Sequence, residues 1–174
     1  MAAARGSARW RSVLLDWLVI VCWIGVLSAA AAVLRIWVPG GVFPSAPSAV
    51  DLAAFVATVL PAWIYLTVCE SGRWQGSWGK RLSGLEVVAQ RDRQPVGTAR
   101  AAGRNAVKLL PWQLAHIAVA RLILGVDAPV VITVTYLLSL AIPCASIVMA
   151  WRDGQHRALH DRLAGTRVIQ AEAR

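Results

Sequence analysis

SVLLDWLVIVCWIGVLSAAAAVLRIWV, residues 12–38, decides the fold. One acidic side chain, Asp16, is set into an otherwise long apolar run. A bilayer's hydrocarbon core is about 30 Å thick, and a helix needs about 20 apolar residues to cross it. This stretch is long enough to span with some tilt. A carboxylate inside such a span costs about 2.5–3.5 kcal/mol at the centre and less near an end. Asp16 sits one turn in from the start, behind Arg5, Arg9 and Arg11. It requires a partner.

Composition agrees with a membrane setting. The chain is 57% hydrophobic and 16% charged, which excludes disorder and an ordinary soluble domain. A length of 174 residues suits one compact helical unit. The net charge of +9 invites a nucleic-acid partner, but the basic residues fall in blocks between apolar spans, with no soluble reading domain. Nucleic acid is therefore not expected. Cys22, Cys69 and Cys144 lie in or beside apolar spans at unrelated spacings, which fits small hydrophobes better than disulfides or zinc. The first apolar run continues to Val38 and is interrupted by Asp16, so it reads as a retained span rather than a cleaved leader.

The pattern predicts an all-α membrane protein with four transmembrane helices, at about 13–38, 50–69, 105–126 and 129–151. The polar segments 1–11, 70–104 and 152–174 are assigned to the cytoplasm, with both termini there. Pro39-Gly40-Gly41, Pro44 and Pro47 make the first connection turn-rich, and Pro61 predicts a kink in the second span. Three basic residues precede the first span, seven lie in the middle section and five in the tail. Four spans place every block inside, as the positive-inside rule requires. The third span is weakly hydrophobic and fits an interfacial helix by composition, but parity favours crossing. Residues 85–90 and 166–170 read as short β-branched strands that pair in a small cytoplasmic cap. Trp10, Trp37, Trp74, Trp78 and Trp151 fall near span ends, where indole rings prefer to sit. Trp74 and Trp78 are four apart, placing them on one face of an interfacial helix.

Arg9 is seven residues from Asp16 and shares its helix face, whereas Arg11, five away, points elsewhere. Asp16 therefore looks to another helix, where Lys80, Arg81, Lys108 and the tail arginines are available. On the third span Asn105, Lys108, Trp112 and His116 form one stripe, flanked by Gln113. Such a stripe normally faces the bundle interior or a watery cavity. His116 lies about 16 Å along the helix from Asn105, near mid-membrane. It fits either a proton relay or a packing histidine with a satisfied hydrogen bond. His156 and His160 lack the further ligands a metal needs, so no metal site is expected. Gly79-Lys80 lacks the remaining positions of a phosphate loop, and no nucleophile motif is present. Neither an enzyme nor a cofactor is expected.

The chain resembles the RDD family of integral membrane proteins, named for one arginine and two aspartates. Arg11 and Asp16 stand where that family carries its arginine and first aspartate. GKRLSGLEVV, residues 79–88, looks like the family's GKRLLGL-type segment. LHDRLAGT, residues 159–166, looks like its closing motif, with Asp161 as the second aspartate. Arg104-Asn105 and residues 110–116 resemble a segment of one branch. Glu86 stands where a basic residue is common, and Ser77-Trp78 replaces a more usual Thr-containing pair. The resemblance implies a multi-pass membrane protein of largely unassigned function, with cation–proton antiport and membrane scaffolding both suggested for relatives. Abundant arginine and alanine point to a bacterial, high-GC origin and a plasma-membrane location.

Two functions follow as expectations. One is transport of a small ion or solute, with cation–proton antiport the sharpest form. Asp16 then binds the cation or proton, His116 relays protons, and a homodimer completes the pathway. The other is a non-catalytic scaffold or partner-binding protein, with Arg11, Asp16 and Asp161 forming a structural charge cluster. The expected partners are the lipid bilayer, a second copy of the chain and a small cation or proton.

Overall fold

The computed structural model describes residues 6–38 and 45–171. Arg5, the Pro39-Gly40-Gly41 turn, Pro44 and Arg174 lie outside the described residues. Four helical stretches are long and apolar enough to cross a membrane: Ser7–Trp37, Pro47–Ser71, Thr98–Ile123 and Pro129–Arg152.

The first belongs to helix α1, Gly6–Trp37. The second is composite: α2, Pro47–Ala54, a π-helical turn, Phe55–Val59, and α3, Leu60–Ser71. The π turn lies just ahead of Pro61, where a kink was expected. Proline has no N–H, so the Ala57 carbonyl loses its donor four residues on. The indole N–H of Trp23, on α1, donates to that carbonyl at 2.9 Å.

Between these spans and the last two lies the cap. It contains α4, Trp78–Leu82, and the strand β1, Leu85–Ala89. Helix α5, Thr98–Ile123, then re-enters the bundle, and α6, Pro129–Arg152, leaves it. The chain finishes with α7, Leu159–Ala164, and β2, Thr166–Gln170, back in the cap. The two strands pair antiparallel, with Leu85 opposite Gln170 and Ala89 opposite Thr166. Leu85, Val87, Val96, Ala101 and Val168 form the cap's buried core, against which Ala8 of α1 packs.

Helix α5 corrects the expected boundary at 105. It starts seven residues earlier, because Ala- and Arg-rich residues after Gly97 are good helix formers and nothing breaks them. Charge at Arg100 and Arg104 reads locally as loop, yet Arg104 and Asn105 are buried. The helix runs antiparallel to the second span along its length. Trp63 Nε1 donates to the Ala102 carbonyl near one end, and Arg121 pairs with Asp51 near the other. It also packs on α6 and α7. This is a bundle helix, not one lying across the base.

The tryptophans divide by role. Trp10, Trp37 and Trp151 stand exposed near helix ends. Trp17 stacks on Trp112 with ring centroids 6.4 Å apart. Trp74 and Trp78 do not share a helix, because α4 begins only at Trp78 and Trp74 sits in the preceding turn. There the guanidinium of Arg81 lies 4.4 Å from the Trp74 ring centroid, an ordinary cation–π distance.

Candidate functional site: a buried chain of ion pairs

Where bundle meets cap, five charged side chains of alternating sign run through the protein. Asp16 comes first, at the base of α1. Its Oδ2 accepts from Ser77 Oγ at 2.6 Å, and its Oδ1 from the Gly79 amide at 2.9 Å. Lys80 Nζ stands 3.6 Å from Asp16 Oδ2 and 3.0 Å from Glu70 Oε1. The other oxygen of Glu70 accepts from Arg104 Nη1 and from Asn105 Nδ2. Arg104 Nε then donates to Asp161 Oδ1 at 3.0 Å. Glu70 and Arg104 are fully buried side chains.

Sequence position explains these meetings. Glu70 ends α3, Lys80 rides on the single turn of α4, and Arg104 lies two turns into α5. Asp161 is the third residue of α7 and caps it, its Oδ2 accepting the Ala158 amide at 3.2 Å, as an N3 acid does in a capping box. Thr166 Oγ1, at the start of β2, donates to Asp161 Oδ1 at 3.1 Å. Gly165 makes that turn possible with φ of 60°, a left-handed conformation that glycine adopts without penalty. Asp161 thus joins α5, α7 and β2.

The environment sets the charge states in the cap. Burial alone would raise the Asp161 carboxyl, but the Arg104 charge, with the hydrogen bonds from Arg104 and the Ala158 amide, outweighs it and holds the carboxyl below its usual range. Burial, reinforced by the Arg104 charge, pushes His160 down to about 3, so its imidazole is neutral. Farther along the tail, Asp153 is held well below the usual carboxylate range by hydrogen bonds from the Arg157 side chain and amide.

The residues singled out from sequence are only partly brought together. Asp16 and Asp161 both join the chain of pairs, but Arg11 is exposed and makes no ion pair among the described residues. The arginine on Asp161 is Arg104, and the cation on Asp16 is Lys80. Arg9 serves the tail instead, donating to the carbonyls of His156 at 2.6 Å and Val168 at 3.0 Å. Of the α5 stripe, Asn105 binds Glu70, whereas Lys108 makes no hydrogen bond or ion pair among the described residues. His116 Nε2 accepts from Trp112 Nε1 at 3.2 Å, while its Nδ1 is buried without a partner. Gln113 Nε2 reaches the Asp51 carbonyl at 3.4 Å.

Glu70 and the Asp51–Arg121 pair were missed by sequence reasoning. Arg121 grips Asp51 with both terminal nitrogens, at 3.0 and 2.9 Å, in the forked geometry arginine prefers. Sequence gave one available signal: an acid and a base placed in otherwise apolar spans. His156 lies in a turn and His160 on α7. Among the described residues no group of three or more His, Cys, Asp or Glu side chains is placed to hold a metal ion.

Two cavities lie beside this chain, where α1 stands off from α3 and α5. One, of about 260 Å³, is lined largely by apolar residues, including Trp23, Pro61 and Trp112. The other, of about 230 Å³, reaches Arg9, Arg104 and Asp161. Asp16, Ile20 and Lys108 line both.

Four apolar helices, closed at one end by a small strand-and-helix cap and a buried run of ion pairs, define a multi-pass α-helical membrane protein. The RDD family model matches residues 7–165, and the chain belongs to that family. No curated protein and no solved structure matches it.

Proposed function

We propose that this protein is a non-catalytic membrane scaffold, in which the buried charges fix how α1 and the cap meet the bundle. One observation carries the reading. Asp16, Glu70 and Asp161 each already have a lysine or arginine within ion-pair distance. A cation carrier needs a carboxylate free to exchange its partner for the ion. Here each carboxylate is also held by neutral donors or further cations, so release of one strands another. Buried charge that is fully paired sets arrangement, and removing one member strands the rest.

The setting follows from charge. Arg9 on α1 reaches β2 at Val168, so the start of the described chain and its tail lie at one end of the bundle. Most basic residues are at that end, and the positive-inside rule assigns it to the cytoplasm. Arginine's excess over lysine fits a bacterial plasma membrane. A second copy of the chain is the simplest partner for a four-helix unit.

Cation–proton antiport is the second reading, favoured by the unpartnered Nδ1 of His116 inside α5. Purified wild type and Asp16→Asn decide between the two. The scaffold reading expects Asp16→Asn to unfold at lower temperature whether sodium, lithium or potassium is present. It also expects liposomes with an internal pH dye to show no cation-driven proton flux. Flux that disappears in Asp16→Asn and in His116→Ala would overturn the scaffold and establish the antiporter.

A further inference from the structure

The geometry points to a binding site for an anionic phospholipid in the paired cavities between α1 and the α3–α5 face. Its phosphate would sit between Lys108 and Arg9, and its acyl chain along Ile20, Trp23 and Pro61.

Three observations place it there. First, cations outnumber carboxylates around the polar cavity. Arg9, Lys80, Arg104 and Lys108 line it against the two carboxylates of Asp16 and Asp161. When the buried Glu70 is counted with them, a surplus positive charge still remains. Arg9 and Lys108 have no carboxylate in ion-pair contact among the described residues. Second, both have unused donor capacity. Arg9 uses its terminal nitrogens on backbone carbonyls, while its Nε is buried without an acceptor. Lys108 makes no hydrogen bond at all among the described residues. A buried donor without an acceptor is costly, and a membrane interior has little water to supply one. Third, the walls change character in the right order. The polar cavity meets the apolar one at Asp16, Ile20 and Lys108, so a charged group beside Lys108 is followed directly by an apolar channel.

The local packing of α1 suits such an occupant. Its base rests on α4 and β1. Farther along, Trp17 reaches Trp112 and Trp23 reaches Ala57. Long side chains bridge a gap that helix backbones do not close. Among phosphate-bearing ligands, an inorganic ion would use the polar half only, whereas a lipid fills both. A net negative lipid also offsets the surplus positive charge, which a zwitterionic one does not. The inference goes beyond the scaffold reading and is independent of it.

The test uses the full chain purified in a neutral detergent. Thermal unfolding is followed with phosphatidylglycerol, with phosphatidylcholine and with inorganic phosphate, and bound lipid is counted by native mass spectrometry. Phosphatidylglycerol is expected to stabilise wild type and to remain bound as one molecule. Lys108→Met is expected to fold, since it removes an unpaired cation, and to weaken that binding by roughly tenfold, the weight of one charge-assisted hydrogen bond. Lys108→Arg should retain it. Arg9→Gln supplies a second reading if Lys108→Met does not fold. Equal stabilisation by phosphatidylcholine, by inorganic phosphate alone, or of Lys108→Met by phosphatidylglycerol would overturn the proposal, as would no response to any of the three.

Discussion

Gly79 and Asp16 meet with no space between them. The Gly79 amide donates to Asp16 Oδ1 at 2.9 Å, and a Cβ added at Gly79 would stand 2.6 Å from that same oxygen while overlapping the Ser12 carbonyl. The base of α1 is thus seated directly on the backbone of α4. The obstacle at Ser12 is main chain, so a rotamer change cannot relieve it. Gly79→Ala is expected to destabilise by about 1–3 kcal/mol through overpacking, read as a lower unfolding temperature in detergent. Gly103, inside α5 with nothing within 4 Å of an added Cβ, is the control. Gly103→Ala should stabilise by roughly 0.5–1 kcal/mol. Equal responses at the two glycines would show that α1 is not held by this contact.

Arg104 joins two carboxylates that lie on either side of it in the sequence, Glu70 34 positions before and Asp161 57 after. One nitrogen meets Glu70 and another meets Asp161. Arg104→Ala leaves both acids buried with fewer cations and is expected to cost about 3–5 kcal/mol. Arg104→Lys should recover little, because a single ammonium lacks the rigid fork that spans both partners. The local signature is loss of hydrogen-exchange protection in Thr166–Gln170, whose first residue shares Asp161 with Arg104. A lysine variant with wild-type protection there would show that the fork is dispensable.

What the sequence disclosed follows from how local each signal is. The spans are runs of apolar residues, and the strands at 85–89 and 166–170 are β-branched, so both are read within a few positions. Asp16 stood out because a charge in a span is costly, and helix spacing already turned Arg11 away from it. The partners were harder. Glu70 lies at a span boundary, where a carboxylate ordinarily meets water, and only the fold closes Lys80, Arg104 and Asn105 around it. Arg104 pairs with a residue 57 positions away, and it does so because α5 begins before the expected boundary. Asp51 and Arg121, 70 apart, meet only because α5 is antiparallel to the second span.

The Trp23 indole compensates for a proline. Pro61 gives no N–H to the Ala57 carbonyl, and Trp23 Nε1 supplies one at 2.9 Å. Trp23→Phe should cost about 0.5–1.5 kcal/mol, the net value of one hydrogen bond. Pro61→Ala restores an amide in the same span, so Trp23→Phe should cost less in that background. A double-mutant cycle of unfolding temperatures measures the coupling. Additive effects would mean that the indole acts through packing alone.

Acid should weaken the cap through His160 before it reaches the carboxylates. Burial, then the charge of Arg104, lowers His160 from 6.5 to about 3. Between those values the unfolded chain takes up a proton that the folded cap refuses, so stability rises with pH there. The contribution is whole above about pH 6.5 and is lost progressively as pH falls toward 3. Its slope reaches at most ~1.4 kcal/mol per pH unit. Asp161 works in the same direction but lower, because its carboxyl is depressed below 3.8 and titrates only in stronger acid. The window from about pH 6.5 to 5 lies above the carboxylate range, so the difference between wild type and a His160 variant there reports that histidine. Unfolding free energies measured across that window should fall for wild type and stay flatter for His160→Gln. Parallel slopes for the two proteins would place the acid sensitivity elsewhere and deny that the cap holds His160 neutral.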